Sequence, residues 1–328
     1  MTLNRRKTLG RLATSLLAAT GALALSPAVA QNFPAKPIHI VVPTPAGTGP
    51  DVDIRKMSVH LGNILGQPII IENRPGAATR IAIEYVAKAA PDGYTLLVGT
   101  PSMTTAHFLY SKLPFDVQRD LVPVGLASVT NYTLTINADV PARTLAEYIA
   151  LAKSDPKYAD FGTLGPGSAG HLTAAWFGSL TGVQTRYIHY NSAGQITALA
   201  AGQIPATFEA MLPVAQLRQA GKLRTLATSG TKRHPLMPDV PTFAEAGLPA
   251  LQPLVWIGLL APTGTPPAVV KKLSAALAQV AKMQETIDFR LSVGSESVGN
   301  TPEEFAAFLD AEREKWGSVI KKLDLKLD

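Results

Sequence analysis

The sequence predicts an α/β fold built as two lobes with a hinge and a ligand cleft between them. Three observations carry that prediction. Short β-branched runs alternate with longer segments of helical periodicity, the pattern of parallel sheets flanked by helices. The chain has 328 residues, long for one core, so two lobes are the natural division. Two extended crossings, one from about Leu121 to Asn137 and one through Pro253–Ala261, take the chain out of the first lobe and back.

The N-terminus comes first. Met1–Arg11 holds Arg5, Arg6, Lys7 and Arg11 with no acid, Leu12–Leu25 is apolar, and Ser26-Pro27-Ala28-Val29-Ala30 closes with small residues. This is the layout of a secretory signal cleaved after Ala30. The apolar run of about fourteen residues is short of the roughly 20 that span a bilayer. Asn4-Arg5-Arg6-Lys7-Thr8-Leu9 also hints at twin-arginine export, although Thr8 stands where a bulky apolar residue is usual. The net charge of +6 loses these four basic residues and becomes +2. No Lys/Arg cluster follows, so nucleic-acid and membrane-surface binding are not expected. The absence of cysteine excludes disulfides, thiolate metal sites and cysteine nucleophiles.

Strands are expected at Ile38–Val42, Ile69–Glu72, Thr95–Gly99, Leu134–Asn137, Ile204–Phe208 and Leu223–Ala227. Helices are expected at Val52–Leu65, Ile81–Ala89, Leu145–Lys153, Leu172–Leu180, Gln195–Ala201, Val214–Ala220, Pro267–Met283 and Thr301–Leu323. Thr144…Glu147 and Thr301…Glu304 both read as capping boxes. The crossings divide the mature chain into a first lobe of 31–125 with 253–328 and a second of 126–252.

Two glycine-rich loops carry the chemistry. Pro43-Thr44-Pro45-Ala46-Gly47-Thr48-Gly49-Pro50-Asp51 leaves the first strand and enters a helix. Amides at a helix N-terminus suit a carboxylate or phosphate, and Thr44, Ala46, Gly47 and Thr48 are its candidate contacts. Asp51 reads more simply as the helix N-cap. Gly165-Pro166-Gly167-Ser168-Ala169-Gly170 spells G-x-G-x-x-G. The acid that a dinucleotide needs about 20 residues later is absent, since Tyr187-Ile188-His189-Tyr190-Asn191 stands there. Pro166 also spoils a nucleophile elbow at Ser168. A second anion cradle remains, facing the first.

The blocks Ile38–Asp51, Glu72-Asn73-Arg74-Pro75-Gly76-Ala77, Ala90-Pro91-Asp92-Gly93-Tyr94-Thr95-Leu96, Ala220-Gly221-Lys222-Leu223-Arg224, Pro238-Asp239-Val240-Pro241-Thr242, Leu260-Ala261-Pro262-Thr263-Gly264-Thr265-Pro266 and Thr301-Pro302-Glu303-Glu304-Phe305 run through the mature chain. Together they resemble the Bug receptors, the extracytoplasmic solute receptors of tripartite tricarboxylate transporters. The resemblance implies a type II periplasmic-binding-protein fold, a periplasmic location, a small organic carboxylate as ligand, and delivery to one large and one small integral-membrane subunit. It implies no catalysis, and the protein is expected to be a monomer.

Departures from the family pattern point to specificity. Thr44 stands where an aromatic is usual, and Gly47-Thr48 replaces paired glycines. Ala78-Thr79-Arg80 replaces Gly-Gly-Asn, which would either aim Arg80 from a loop at a ligand carboxylate or leave it exposed to solvent. Glu209 replaces an aspartate and would either meet a ligand or cap the next helix. Thr163, Gly165, Ser168, Tyr190, Asn191 and Ser192 are second-lobe candidates, with Ser102 from the first. Trp256 and His171 read as packing and structural residues. The histidines show no metal-binding spacing, and neither metal nor cofactor is expected. A dicarboxylate, with an aromatic body as one option, suits two cradles and Arg80. The alternatives are a periplasmic sensor subunit presenting a metabolite to a signalling partner, or an exported hydrolase, for which no nucleophile–base–acid constellation is legible.

Overall fold

A computed structural model describes residues 33–190 and 194–327. The export signal at 1–30 and the candidates Asn191 and Ser192 lie outside the described residues. Three parallel strands open the fold: β1 (Ile38–Val42), flanked by β2 (Ile69–Asn73) and β3 (Thr95–Gly99). Helix α1 (Gly49–Leu65) joins the first two and buries Ile54, Met57, Leu61 and Leu65, a stripe at helical spacing. It ends at Gly66, whose left-handed φ of 72° lets its amide reach Gly62 O. Helices α2 (Arg80–Ala87), α3 (Ser102–Leu109) and the short α4 (Val117–Asp120) follow.

Strand β4 (Leu121–Asn137) then runs without interruption for 17 residues, about 55 Å at strand rise. The sequence reading expected an extended crossing over about Leu121–Asn137, with Leu134–Asn137 as its strand candidate; the structure makes the whole crossing one strand. Residues 121–131 pair antiparallel with β9 (Leu254–Pro262), which in turn pairs with β3. Residues 132–137 pair antiparallel with β7 (Ala206–Ala210) and β8 (Leu223–Thr228). Beyond β7 lie β5 (Asp160–Thr163) and β6 (Arg186–His189), both parallel. The sheets are therefore mixed where the alternation predicted parallel ones. The outgoing and returning crossings run in opposite senses, which makes β4 and β9 antiparallel.

The remaining helices are α5 (Leu145–Ser154), α6 (Ala169–Thr181), α7 (Gly194–Ala200), α8 (Met211–Gln219), α9 (Pro267–Ala281), α10 (Gln284–Ser292) and α11 (Pro302–Lys322), with a short β10 (Ser295–Ser297) on β4. The sequence reading had no helix at α3, α4 or α10. Among its nine residues α10 buries Thr286 and Arg290, so it lacks the apolar stripe that periodicity detects. At α11 the capping box is complete: Thr301 Oγ1 accepts from Glu304 N at 3.2 Å, and Glu304 Oε2 accepts from Thr301 N at 2.9 Å. At α5 it is not. Thr144 caps Glu147 N, but the Glu147 carboxylate takes the amide of Arg143 instead of that of Thr144.

One set of apolar clusters surrounds β1, β3 and β9, and another surrounds β5 and β7. Helix α11 serves both. Its start places Phe305 and Leu309 in the cluster that holds Trp256, and its end places Trp316, Val319 and Ile320 in the cluster that holds Leu134 and Phe208. Trp256 is fully buried with its ring edge-on to Phe305, centroids 5.8 Å apart, so it packs as expected. A buried ion pair ties distant segments together. Arg290 donates to Asp53 at 3.0 and 3.1 Å and to Ala127 O at 2.7 Å, and Ser128 Oγ donates to Asp53 at 3.0 Å.

Candidate functional site

The candidate residues gather at the carboxyl ends of two sets of parallel strands, where open α/β sheets present loops and helix N-termini to ligands. After β1, the loop is braced by Asp51. Gly47 N donates to its Oδ2 at 2.8 Å, Asn73 Nδ2 to its Oδ1 at 2.8 Å, and Arg55 Nε to both oxygens at 3.0 Å. The Arg55 hydrogen bond leads the interactions that hold the Asp51 carboxyl down at about 2 against the opposing effect of burial. Asn73 also donates to Thr44 O at 3.0 Å. Thr48 is the N-cap, with Asp51 inside the first turn of α1, so the simpler reading of Asp51 as N-cap is corrected. Its carboxylate reaches back to Gly47, engaging an amide that the sequence had offered to a ligand. Thr44 and Thr48 share a 2.7 Å hydroxyl contact, and Ala46 is exposed at the tip.

After β2 the backbone is strained. Ala77, Ala78 and Thr79 all have positive φ, at 46°, 50° and 75°, a conformation with a steric cost for residues with a Cβ. Two of them occupy the positions where the resembling family has glycines. Thr79 Oγ1 meets Ser102 Oγ at 2.8 Å, and Ser102 meets Thr100 Oγ1 at 3.0 Å. Arg80 is the first residue of α2, not a loop residue as the sequence suggested. Its Nε donates to Ala77 O at 2.8 Å and its guanidinium lies 4.1 Å from the centre of the Tyr110 ring. Among the described residues Arg80 has no carboxylate partner, so its charge is available to an anion.

In the second set, Thr163 ends β5 with its hydroxyl 2.6 Å from His189 Nδ1. Gly165 and Gly167 take φ of 114° and 74°, which only glycine adopts freely. Ser168 caps α6 through His171 N at 3.3 Å. Gly167 N donates to His171 Nδ1 at 3.0 Å, so that nitrogen is unprotonated and the histidine is structural, as expected. Burial first, then the neighbouring His189, lowers its imidazole to about 4. Tyr190 donates its amide to Thr163 O at 2.9 Å, and its ring packs on the cluster around Ile196 and Leu199.

Glu209, near the end of β7, is 9% exposed. It accepts from Gln195 Nε2 and from Ala210 N, both at 2.9 Å, and burial raises its carboxyl above the usual range. Sequence reasoning missed Gln195, Asn73, Tyr110 and His189. Asn73 stood inside a quoted block, whereas the others touch their partners through long-range packing that carries no local signal. One cavity of about 220 Å³ lies elsewhere, between α3, α4 and α11, lined by residues such as Met103, Phe115 and Leu309. It is mainly apolar and none of the candidate residues lines it, so the donor-bearing strand ends remain the better candidate for a charged ligand.

Known proteins share this fold. The sequence profile of the tripartite tricarboxylate transporter family receptor matches residues 54–325. BugT of Bordetella pertussis is 32% identical over 305 residues, covering 92% of this chain and 94% of BugT. An R. palustris protein solved with adipate has a TM-score of 0.80 at 30% identity, covering 90% of this chain and 100% of the other. The periplasmic binding protein BugD has a TM-score of 0.77 at 28% identity, with the same coverage. The fold is thus that of the periplasmic binding proteins. The chain belongs to the tripartite tricarboxylate transporter receptor family.

Proposed function

We propose that this protein is a periplasmic receptor that captures a small organic dicarboxylate, aliphatic or aromatic, and delivers it to a membrane pair of one large and one small subunit. It acts as a monomer without catalysis. The lobes of 31–125 with 253–328 and of 126–252 would close about the crossing strands. The observation that carries the reading is the presence of donor-bearing loops at the strand ends of both sheets, joined by the continuous β4, with Arg80 lacking a carboxylate partner among the described residues. The loops after β1 and β5 supply amides, and Thr79 and Ser102 supply hydroxyls. Arg80 supplies the bidentate charge that a carboxylate matches best. Burying the anion among fixed donors replaces its water with charge-assisted hydrogen bonds. The adipate in the R. palustris relative is a ligand of this chemical class.

A thermal-shift screen of the mature protein tests the reading, using aliphatic and aromatic dicarboxylates, tricarboxylates, monocarboxylates and amino acids. A ligand present at about a thousand times its dissociation constant adds about 4 kcal/mol to apparent stability, a shift of several degrees. Selective shifts with dicarboxylates support the proposal. A response confined to amino acids would overturn the ligand class, and a flat panel on ligand-stripped protein would overturn the receptor reading.

A further inference from the structure

The last residues of the chain make contacts that the receptor reading does not use. After α11 the chain turns back along α3. Leu327 N donates to Leu109 O at 2.9 Å, and Lys326 Nζ donates to Phe108 O at 3.3 Å. These carbonyls end α3, where a helix leaves acceptors without intrahelical partners, and a lysine there also suits the helix dipole. The Leu327 side chain lies against the glycine-rich loop of the second set. A Cβ on Gly167 would come within 2.5 Å of Leu327 Cδ1 and 3.4 Å of Leu109 Cδ1. Residues 109 and 327 both pack in the cluster that holds Leu134, Phe161 and Phe208. The tail thus touches the far end of the helix that begins with Ser102 and, through one side chain, the loop that carries Gly165 and Ser168.

We infer that Leu327 is a positioning residue: wedged between the end of α3 and Gly167, it sets the position of the Gly165–Ser168 loop relative to the first set of strands. Its relevance to ligand capture rests on the receptor reading; the contact itself does not. The loop's C-terminal end is anchored on α6, where Ser168 Oγ accepts from His171 N at 3.3 Å and Ser168 O from Leu172 N at 2.9 Å, but its glycine turn has weaker ties. Gly167 N is held by His171, Ser168 N reaches Gly165 O at 3.2 Å, and Gly165 N lies 3.4 Å from Thr163 Oγ1. Without the wedge, the two glycines with positive φ leave the loop free to sample other conformations.

The test is hydrogen exchange on the full mature chain, comparing the native protein with Leu327→Ala and Leu327→Met. Leu327→Ala should speed exchange at the Gly167 and Ser168 amides by about tenfold, with the amides of β5 and β1 unchanged and Leu327→Met restoring the native rates. The ¹⁵N signal of His171 Nδ1 should move in Leu327→Ala, since that nitrogen accepts the Gly167 amide. Unchanged exchange at Gly167 and Ser168 would overturn the proposal, as would equal acceleration throughout β5 and α6, which marks general destabilisation. With adipate as the probe, Leu327→Ala should also weaken binding by about tenfold. If the native protein does not bind adipate, that failure bears on the receptor reading, and the exchange result still decides the role of Leu327.

Discussion

Arg80 and His171 show how a single side chain acquires its role from its neighbours. The Arg80 guanidinium is held by Ala77 O and by the Tyr110 face, which limits its freedom without neutralising its charge. Arg80→Ala should therefore weaken dicarboxylate binding by about 1.5–3 kcal/mol while changing stability far less. Titration calorimetry against denaturant unfolding separates the two effects, and an unchanged affinity would remove Arg80 from the site. His171 contributes to the pH dependence of stability. Burial lowers its imidazole to about 4 in the fold, from an ordinary value of 6.5. Above pH 6.5 both states are neutral and the full contribution is present. Between 6.5 and 4 the unfolded chain takes up the proton first, so stability falls as pH falls, by at most about 3 kcal/mol. The buried His234 acts with the same sign, while burial of Glu209, which raises its carboxyl, acts with the opposite one. The difference profile between the native protein and His171→Gln isolates the His171 contribution. Parallel stability curves across that window would show that the histidine does not titrate this way.

At the scale of elements, α11 is where local sequence and tertiary packing agree most closely. Its complete capping box, with Pro302 in the first turn, starts the helix where the motif placed it. Thr301→Ala should lower stability by about 1 kcal/mol, measured by urea midpoint at unchanged slope; a change below the measurement error would mean that Glu304 or solvent satisfies the helix start without the hydroxyl. The box at α5 shows the limit of such motifs. The same residue types at the same spacing yield a threonine cap, but the glutamate turns to the preceding amide. A motif specifies partners within reach, and the local backbone path selects among them. Helix α10 was illegible for a related reason: periodicity registers an apolar stripe, and α10 is held instead by a buried arginine.

At the scale of the molecule, the Asp53–Arg290 pair joins α1 to a segment more than two hundred positions later. Both charges are buried, and Ala127 O and Ser128 satisfy further valences. Arg290→Met should destabilise by about 3–5 kcal/mol because it leaves an unpaired buried carboxylate, and Asp53→Leu added to it should recover much of that loss. A loss under about 1 kcal/mol in the single variant, read from denaturant unfolding, would show that water reaches Asp53. Nothing in the local sequence around either residue marks the pair.

The sequence by itself determined the alternation of strands and helices, the boundaries of β1 and β3, both glycine-rich loops and the family. These rest on short-range physics: β-branched runs, helical spacing, caps and the conformational freedom of glycine. Tertiary structure alone decided how the expected Leu121–Asn137 crossing pairs with β7, β8 and β9, and that α11 serves both sets of core clusters. It also assigned the Gly47 amide to Asp51, the Arg80 guanidinium to Tyr110 and the Glu209 carboxylate to Gln195. Those outcomes depend on which surfaces meet after the chain crosses β4 and returns, and on competition among donors from segments far apart in sequence. A linear pattern shows which donors and acceptors a loop carries; only the folded chain shows which remain free for a ligand.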